Sequence, residues 1–373
     1  MEKRGAEEAD ELETHQPLFK ILDAVHRVSH DSQLSHNSLD SDSDSSAIKA
    51  LLELRTASTS ILSANPDQSS LSQHLSRLSE LVQERRNSKP PSYGVVSFVT
   101  RRVRSHEVSR LASEIESELN ALIDRETVSN LTNSVSKLRR SSELSDEDQL
   151  LDEMFVLQNR LSRGFDIDFQ HLLLKSKVFA ELEWVLCNPL FSNRVREKAA
   201  VSIKELVLFN KDVFVGSVLV GGIVKALVSM GCSCSLEILS TLIKAIKSPL
   251  VDEMESCGGI SKIVGYLSCD DMETRVRAMN CIMEIGYYGR KEAVEAMING
   301  GLIKKLVELQ RLEMGFGKCV ARFGVQLEVG EGLRQREKRA FKQQILHKVR
   351  EACVCDAESA TIVAEVLWGS SPY

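Results

Sequence analysis

The stretch MINGGLIKKLVEL, residues 297–309, places two glycines between two apolar runs of helix-forming residues. Glycine tolerates the left-handed backbone conformation that ends a helix, and it costs about 1 kcal/mol inside one. The pair therefore predicts that one helix ends here and the next begins at a sharp angle. The same arrangement occurs in VLVGGIVKALVSM (218–230) and in ESCGGISKIVGYL (255–267). The predicted structural turns are Gly221, Gly222, Gly258, Gly259, Gly300 and Gly301.

The three glycine pairs recur at intervals of about 40 residues, which is typical of a solenoid of stacked helices. An earlier segment, SKVFAELEWVL (176–186), lacks the glycines but keeps the apolar pattern of the later units. No segment in this region alternates apolar and polar residues with period two. We therefore expect an all-α fold without strands.

The repeated unit resembles an armadillo repeat, which has a short first helix, a glycine turn, a second helix and a longer third helix. KDVFVGSVLV, GGIVKALVSM and SLEILSTLIKAIKS fill these places in order. RVREKAAVSIKELVL (194–208) and TRVRAMNCIMEIG (274–286) resemble the third helix, with Ala199 and Ala278 at its small packing position. The resemblance covers residues 165–312 and implies an armadillo-type α-solenoid.

The third helices depart from one branch of that family. Armadillo proteins that carry nuclear-localisation peptides present a ladder of Trp and a ladder of Asn along their concave groove. Val201, Thr241 and Asn280 occupy the positions of the Trp ladder, and Glu205, Ala245 and Glu284 occupy those of the Asn ladder. Neither ladder is therefore kept, which argues against an importin-like cargo receptor. The resemblance still implies a groove, in which Glu205 and Glu284 either accept hydrogen bonds from a partner's Lys or Arg or form a solvated face. The predicted partner-binding groove comprises Val201, Glu205, Thr241, Asn280 and Glu284, with Ala245 between the two glutamates.

Helices followed by armadillo repeats also resemble the layout of plant U-box proteins, in which a U-box recruits the ubiquitin-conjugating enzyme. Residues 140–175 contain no Cys-Pro-Ile opening and no proline-rich loop, so the ligase module is missing. One alternative function is therefore that of a regulatory, non-catalytic relative of U-box ligases.

The N-terminal region, residues 1–164, is predicted to contain helices separated by polar linkers. The Ser- and Asp-rich segment 30–46 is too poor in apolar residues to fold alone, so we expect a flexible linker, with serine phosphorylation as the alternative. Prolines and a glycine break the pattern at 87–94. The apolar spacings over 108–138 fit one long helix or a helix pair. That stripe would form an intermolecular coiled coil or, as we prefer, pack within a helical bundle, because its heptad phase slips.

The C-terminal region, residues 313–373, is predicted to cap the solenoid. LRQREKRAFKQQILHKVREA (333–352) is a basic amphipathic helix with Phe341, Ile345 and Val349 on one side. Since the last repeat of a solenoid exposes an apolar face, this helix and ATIVAEVLW (360–368) are the candidates to cover it. The alternatives for the basic helix are a nuclear signal or a contact with phosphate or lipid.

Composition and motifs exclude several functions. The net charge is −6 and the pI about 5.9, whereas a dedicated nucleic-acid binder has a basic balance. No nucleotide-binding, nucleophile-elbow or zinc-protease motif occurs, so we expect no enzyme and no cofactor. The nine cysteines are odd in number and lack the zinc-binding C-x₂-C spacing, which predicts reduced thiols and no metal.

We therefore expect a non-catalytic scaffold or adaptor in the cytoplasm, the nucleus or both. Its partners would be proteins that present Lys- or Arg-containing segments to the groove, and not nucleic acid. Binding to a membrane surface through the basic helix at 333–352 is the less favoured alternative.

Overall fold

The structure, a computed structural model, describes most of the chain from residue 95 onward and finds no strand in the described part. The all-α prediction is confirmed for these residues. The predictions for the 30–46 linker and the 87–94 break concern residues outside the described part. The described residues are 73–74, 76–78, 80, 95–140, 147–312 and 314–368.

Two compact units divide the chain, Met1–Thr127 and Val128–Tyr373. Helix α1 (Val95–Arg140) contains the boundary between them and is one continuous helix of 46 residues, not a helix pair. Within the first unit, Leu111, Ile115 and Leu119 of α1 are buried at spacings of four residues, as expected for one apolar face of a helix.

The second unit consists of groups of three helices. Helix α2 (Glu147–Leu161) comes before the first group. The groups are α3 (Ile167–Lys175), α4 (Val178–Cys187) and α5 (Asn193–Phe209); α6 (Lys211–Val220), α7 (Ile223–Met230) and α8 (Ser233–Ile246); α9 (Ser248–Ser256), α10 (Gly259–Tyr266) and α11 (Met272–Tyr288); and α12 (Lys291–Asn299), α13 (Leu302–Leu312) and α14 (Cys319–Val329), with a 3₁₀ turn at Met314–Phe316. Helices α15 (Gln335–Ala352) and α16 (Asp356–Trp368) follow.

The order of helices within each group confirms the armadillo-type solenoid. A first helix, a second helix and a third helix recur four times, and the third helices α5, α8, α11 and α14 pack one against the next. Three of these third helices begin at side-chain caps, at Ser192 for α5, Cys232 for α8 and Asp271 for α11. Each cap accepts a hydrogen bond from a backbone N–H of the first turn, which would otherwise be unsatisfied.

The sequence predicts that the repeats end at residue 312. Helix α14 instead continues the row of third helices beyond that point. Its residues Val320, Phe323 and Leu327 are buried, and α14 packs against α11. The two helices approach closely at Gly286, where an added Cβ would lie 3.1 Å from the ring of Phe323. The predicted boundary at 312/313 therefore falls inside the fourth group.

Helix α2 packs with the repeats, although the sequence assigns it to the N-terminal region. Gln158 Nε2 donates a hydrogen bond to Ser202 Oγ of α5 at 2.7 Å, and Leu150 and Leu157 belong to the same buried core as α5. The compact units thus divide at 127/128, whereas the sequence predicts a boundary at 164/165. That residues 1–164, 165–312 and 313–373 behave as separate domains stays a prediction.

The C-terminal helices cap the solenoid as expected. Phe341, Ile345 and Val349 of α15 are buried, and α15 packs against α13. Helix α16 covers α14 and buries Ile362 and Val366. One hydrophobic core cluster consequently includes residues from the end of α1 to α16.

The junctions between first and second helices use the left-handed conformation selectively. Gly258 and Gly301 have φ of 71° and 82°. Gly221 and Gly222 instead have φ of −81° and −79°, and the Gly222 N–H donates to Glu183 Oε1 at 2.9 Å. In the unit without glycines, Lys177 occupies this junction with φ of 54°. Gly259 begins α10, and Gly300 ends α12.

Among the described residues, no single helix combines the length and the apolar character needed to cross a bilayer. The bent pair α6 and α7, with 73° between the helices, meets these criteria only when both are taken together.

Candidate interaction surface on the third helices

The third helices form a continuous row because their apolar faces are buried between successive units. Cys281 of α11 lies in the core, and its thiol donates a hydrogen bond to the carbonyl oxygen of Leu236 in α8, with 3.0 Å between sulfur and oxygen. On the solvent-facing side of the third helices, the side chains that the sequence assigns to the groove are exposed or half-buried. We call this face the third-helix face, comprising Val201, Glu205, Thr241, Asn280 and Glu284 together with the residues of α2, α5, α8 and α11 described next.

Val201, Thr241 and Asn280 lie on α5, α8 and α11, one on each successive third helix. Val201 and Thr241 are half-buried and Asn280 is exposed. The Thr241 hydroxyl donates to the carbonyl oxygen of Glu237 in its own helix at 3.0 Å. The side-chain amide of Asn280 is therefore more accessible for hydrogen bonding than the hydroxyl of Thr241, and Val201 has no polar side-chain group.

Both predicted glutamates are already paired with lysines of this chain. Lys204 Nζ lies 3.0 Å from Glu205 Oε1, and Lys244 Nζ lies 3.3 Å from Glu284 Oε1. The glutamate side chains are 28% and 22% exposed, so both carboxylates remain in contact with solvent. The second pair joins α8 to α11. The sequence places these lysines at the edge of the groove, and the structure adds that they neutralise its carboxylates.

A further ion pair links the same two helices about two turns away. Arg277 of α11 lies 3.3 Å from Glu237 of α8 and 3.7 Å from Glu273 of its own helix. The third-helix face is therefore mixed in sign, with each of these charges next to its opposite.

Helix α2 adds an aromatic side chain to the third-helix face. Phe155 is 53% exposed, and Lys198 Nζ of α5 lies 4.7 Å from the centre of its ring. Partial burial lowers the pKa of Lys198, and the nearby Asp152 opposes that shift. The sequence does not reveal this contact, because residues 147–161 read as part of the N-terminal region. Phe155 directly follows Met154, which lies on the buried face of α2. That position next to a buried residue is the signal by which the sequence could have identified Phe155.

The described residues contain no group of three or more His, Cys, Asp or Glu side chains placed to hold a metal ion. The nine cysteines form no disulfide, and all of them lie in the described part. Burial raises the pKa of Cys234 to about 11 and that of Cys281 to about 12. Both thiols are therefore protonated at neutral pH, whereas a nucleophilic cysteine needs a lowered pKa.

The apolar side chains of the basic helix α15 are buried in the fold, and some of its lysines form contacts within the chain. Its apolar residues are buried, as described above, so they cannot enter a bilayer while the cap is folded. Lys342 Nζ lies 3.0 Å from Glu328, and Lys338 Nζ donates to the carbonyl oxygen of Gly330 at 2.7 Å. Arg336 and Arg339 stay exposed and form no ion pair within the described part of the chain.

Comparison with known proteins finds no matching protein-family model and no matching curated sequence. Solved structures with a similar arrangement include a designed armadillo repeat protein, which is 15% identical, with a TM-score of 0.44, and covers 63% of this chain and 99% of its own. A second designed armadillo repeat protein, in complex with the peptide (KR)4, is 17% identical and has a TM-score of 0.45, with coverage of 64% and 98%.

A third solved structure is described as a computationally designed armadillo repeat protein for modular peptide recognition. It is 18% identical, with a TM-score of 0.43 and coverage of 63% of this chain and 99% of its own. Since these TM-scores lie below 0.5, the armadillo-type assignment rests on the helix order and the packing described above.

Proposed function

We propose that this protein is a non-catalytic scaffold that binds a protein partner along the third-helix face. The observation that carries the proposal is the unbroken row of third helices, α5, α8, α11 and α14, preceded by α2. Such a row presents an extended surface of the kind that solenoid proteins use for binding, rather than a closed cavity.

The side chains on this face favour a partner with basic residues on an extended segment or a helix. Glu205 and Glu284 lie on helices two units apart and keep part of each carboxylate accessible. Asn280 adds an exposed amide, and Phe155 adds an exposed ring on which a cation can lie. Charged groups of this kind contribute mainly to specificity and to the rate of association.

The decisive experiment replaces both carboxylates by amides of the same shape, Glu205→Gln with Glu284→Gln, in the full-length protein. A fluorescently labelled peptide of alternating Lys and Arg serves as the probe, and fluorescence anisotropy measures its dissociation constant. Loss of two partly desolvated charge contacts should weaken binding by about 2 kcal/mol, roughly thirtyfold. Folding should be retained, because each carboxylate forms an ion pair that is still partly exposed and such pairs contribute little to stability.

The matched control is Asp212→Asn with Glu292→Gln, which removes the same charge from two exposed positions on first helices. The control variant should bind the peptide like the wild type. Equal affinity of the wild type, the groove variant and the control variant would refute the third-helix face as the binding surface. Equal loss in both variants would show that only net charge matters.

We also propose cytoplasmic or nuclear localisation, which imaging of a fluorescent fusion tests directly. A regulatory role beside U-box ligases is the alternative. It rests on the sequence resemblance, and co-purification with a ubiquitin ligase followed by a ubiquitination assay tests it. The burial of the apolar residues of α15 disfavours a membrane role for that helix.

A further inference from the structure

A second row of charges lies on the second helices, away from the third-helix face. Lys225 of α7, Lys262 of α10 and Lys304 of α13 each stand three residues after the second glycine of the repeat. They therefore occupy the same position in three successive units. All three side chains are exposed. We call them the lysine row.

Within the described residues, the lysine row has no carboxylate partner. None of its three ammonium groups forms an ion pair within the part of the chain that the structure describes, and Lys262 Nζ instead lies 3.5 Å from Ser229 Oγ. Helices α7 and α10 contain no acidic residue at all. The row thus differs from the third-helix face, where the lysines and glutamates pair with one another.

Some acidic side chains of the neighbouring first helices already pair with other basic residues and not with the lysine row. Asp252 of α9 pairs with Arg290 at 3.0 Å, and Glu295 of α12 pairs with Lys291 at 3.5 Å. On α13 itself, Glu308 lies one turn beyond Lys304 and is half-buried. The positive charge of the lysine row is consequently available to a partner.

The spacing of the row follows from the packing of the second helices. The Tyr266 hydroxyl of α10 donates to the carbonyl oxygen of Val228 in α7 at 2.7 Å, so these helices are in direct contact. Lys305 Nζ of α13 donates to Ser268 Oγ, just beyond α10, at 2.8 Å. Since packed helices lie about 8–10 Å apart, Lys225 and Lys262 stand at about that interval, and Lys304 continues the row from α13, which meets the segment that follows α10.

We propose that the lysine row docks an acidic protein segment in the polyproline II conformation, with a carboxylate at every third residue. This conformation has three residues per turn and rises about 3.1 Å per residue, so every third side chain points the same way at intervals of about 9 Å. That interval matches one lysine per helical unit. Each carboxylate of the segment meets one ammonium group of the row.

The same surface is poorly suited to nucleic acid or to a membrane. Single-stranded nucleic acid stacks its bases on aromatic side chains, and α7, α10 and α13 expose none. Anionic membranes recruit clusters of about four to eight basic residues, often with apolar anchors. The row has one lysine on each second helix, joined on α13 by the adjacent Lys305, and α7 and α10 expose no large apolar side chain.

The experiment measures binding of a fluorescein-labelled (Glu-Pro-Pro)4 peptide to the full-length protein by anisotropy at low salt. A peptide of the same composition with its four glutamates contiguous tests the spacing. The spaced peptide should bind at least about tenfold more tightly than the clustered one, and its affinity should fall as salt screens the charges. Equal affinity of the two peptides would overturn the proposed spacing.

The variant Lys225→Glu/Lys262→Glu/Lys304→Glu should weaken binding of the spaced peptide at least about tenfold. A gentler set, Lys→Gln at the same three positions, covers the case in which charge reversal impairs folding, and it should weaken binding at least about threefold. The matched control reverses three lysines of first helices, Lys175, Lys211 and Lys291, with the same change in net charge.

The control variant should retain the affinity of the wild type within about twofold. Equal losses in the control and row variants would overturn the proposal, because binding would then follow net charge alone. It would also be overturned if anionic phosphatidylserine vesicles or an oligothymidine strand bound through the row while the spaced peptide did not.

Discussion

Two equivalent junctions between first and second helices hold a residue in the left-handed conformation, a lysine in one case and a glycine in the other. Exchanging glycine and non-glycine residues there should change the stability of the two variants in opposite directions. Lys177 has φ of 54° and Gly301 has φ of 82°. A residue with a Cβ destabilises the folded state by about 1–2 kcal/mol in this conformation. Glycine avoids that strain but lowers the free energy of unfolding by about 0.4–1 kcal/mol, because it gives the unfolded chain more conformational entropy. Lys177→Gly should therefore raise the free energy of unfolding by about 0.5–1 kcal/mol, and Gly301→Ala should lower it by a similar amount.

These magnitudes come from backbone conformation alone, because neither substitution breaks or creates a side-chain contact. The Lys177 side chain is exposed and forms no hydrogen bond or ion pair among the described residues. An added Cβ at Gly301 meets no heavy atom within 4 Å. Steric overlap therefore does not enter the comparison.

Thermal unfolding followed by circular dichroism provides the assay, since 1 kcal/mol shifts the midpoint by about 2–4 °C in a unit of this size. Gly216→Ala is the matched control, because Gly216 lies inside α6 and its added Cβ also meets no atom within 4 Å. Alanine favours a helix interior, so this variant should gain about 0.5–1 kcal/mol. If Gly301→Ala and Gly216→Ala shift the midpoint in the same direction, the conformational reasoning is refuted.

Two further predictions concern titratable groups whose pKa is raised by burial. Burial raises the pKa of Glu153 above its ordinary 4.5, despite hydrogen bonds from Ser134 and Gln149, so its contribution to stability is complete at acid pH and is lost as the pH rises through the raised value. Glu153→Gln should match the wild type in urea unfolding near pH 4 and exceed it near pH 7, and a difference independent of pH would contradict this. Burial also raises the pKa of Cys281 to about 12. Mass spectrometry after iodoacetamide treatment should therefore find the exposed Cys355 modified first and Cys281 modified only on unfolding. Early modification of Cys281 would show instead that α8 and α11 separate in the native state.

The features of the fold that the sequence predicts correctly are those with local physical causes. The glycine pairs mark the ends of helices wherever they occur, and Lys177 shows that the junction survives without glycine at some cost in strain. The cap follows from the spacing of Phe341, Ile345 and Val349, which a helix brings to one side.

The features that the sequence conceals depend on contacts between distant segments. Helix α14 lies in a glycine-rich stretch, and its place in the row depends on the contact of Phe323 with Gly286. The docking of α2 depends on the pairing of Gln158 with Ser202. The Lys244–Glu284 pair joins residues of different units, so no local pattern predicts it. The lysine row is visible in the sequence, but only the folded structure shows that its ammonium groups have no carboxylate partner among the described residues.

The paired glutamates of the third-helix face have a consequence for which partners can bind. Lys204 and Lys244 are tethered beside the carboxylates, so each acts as an intramolecular competitor at a high effective concentration. A lysine from a partner replaces one ammonium group by another and gains little. An arginine offers a planar fork that can bond both carboxylate oxygens at once, which a tethered ammonium group cannot do. If a basic partner binds the third-helix face as proposed, arginine should therefore bind more tightly than lysine, and the affinity should depend on how readily Lys204 and Lys244 move aside.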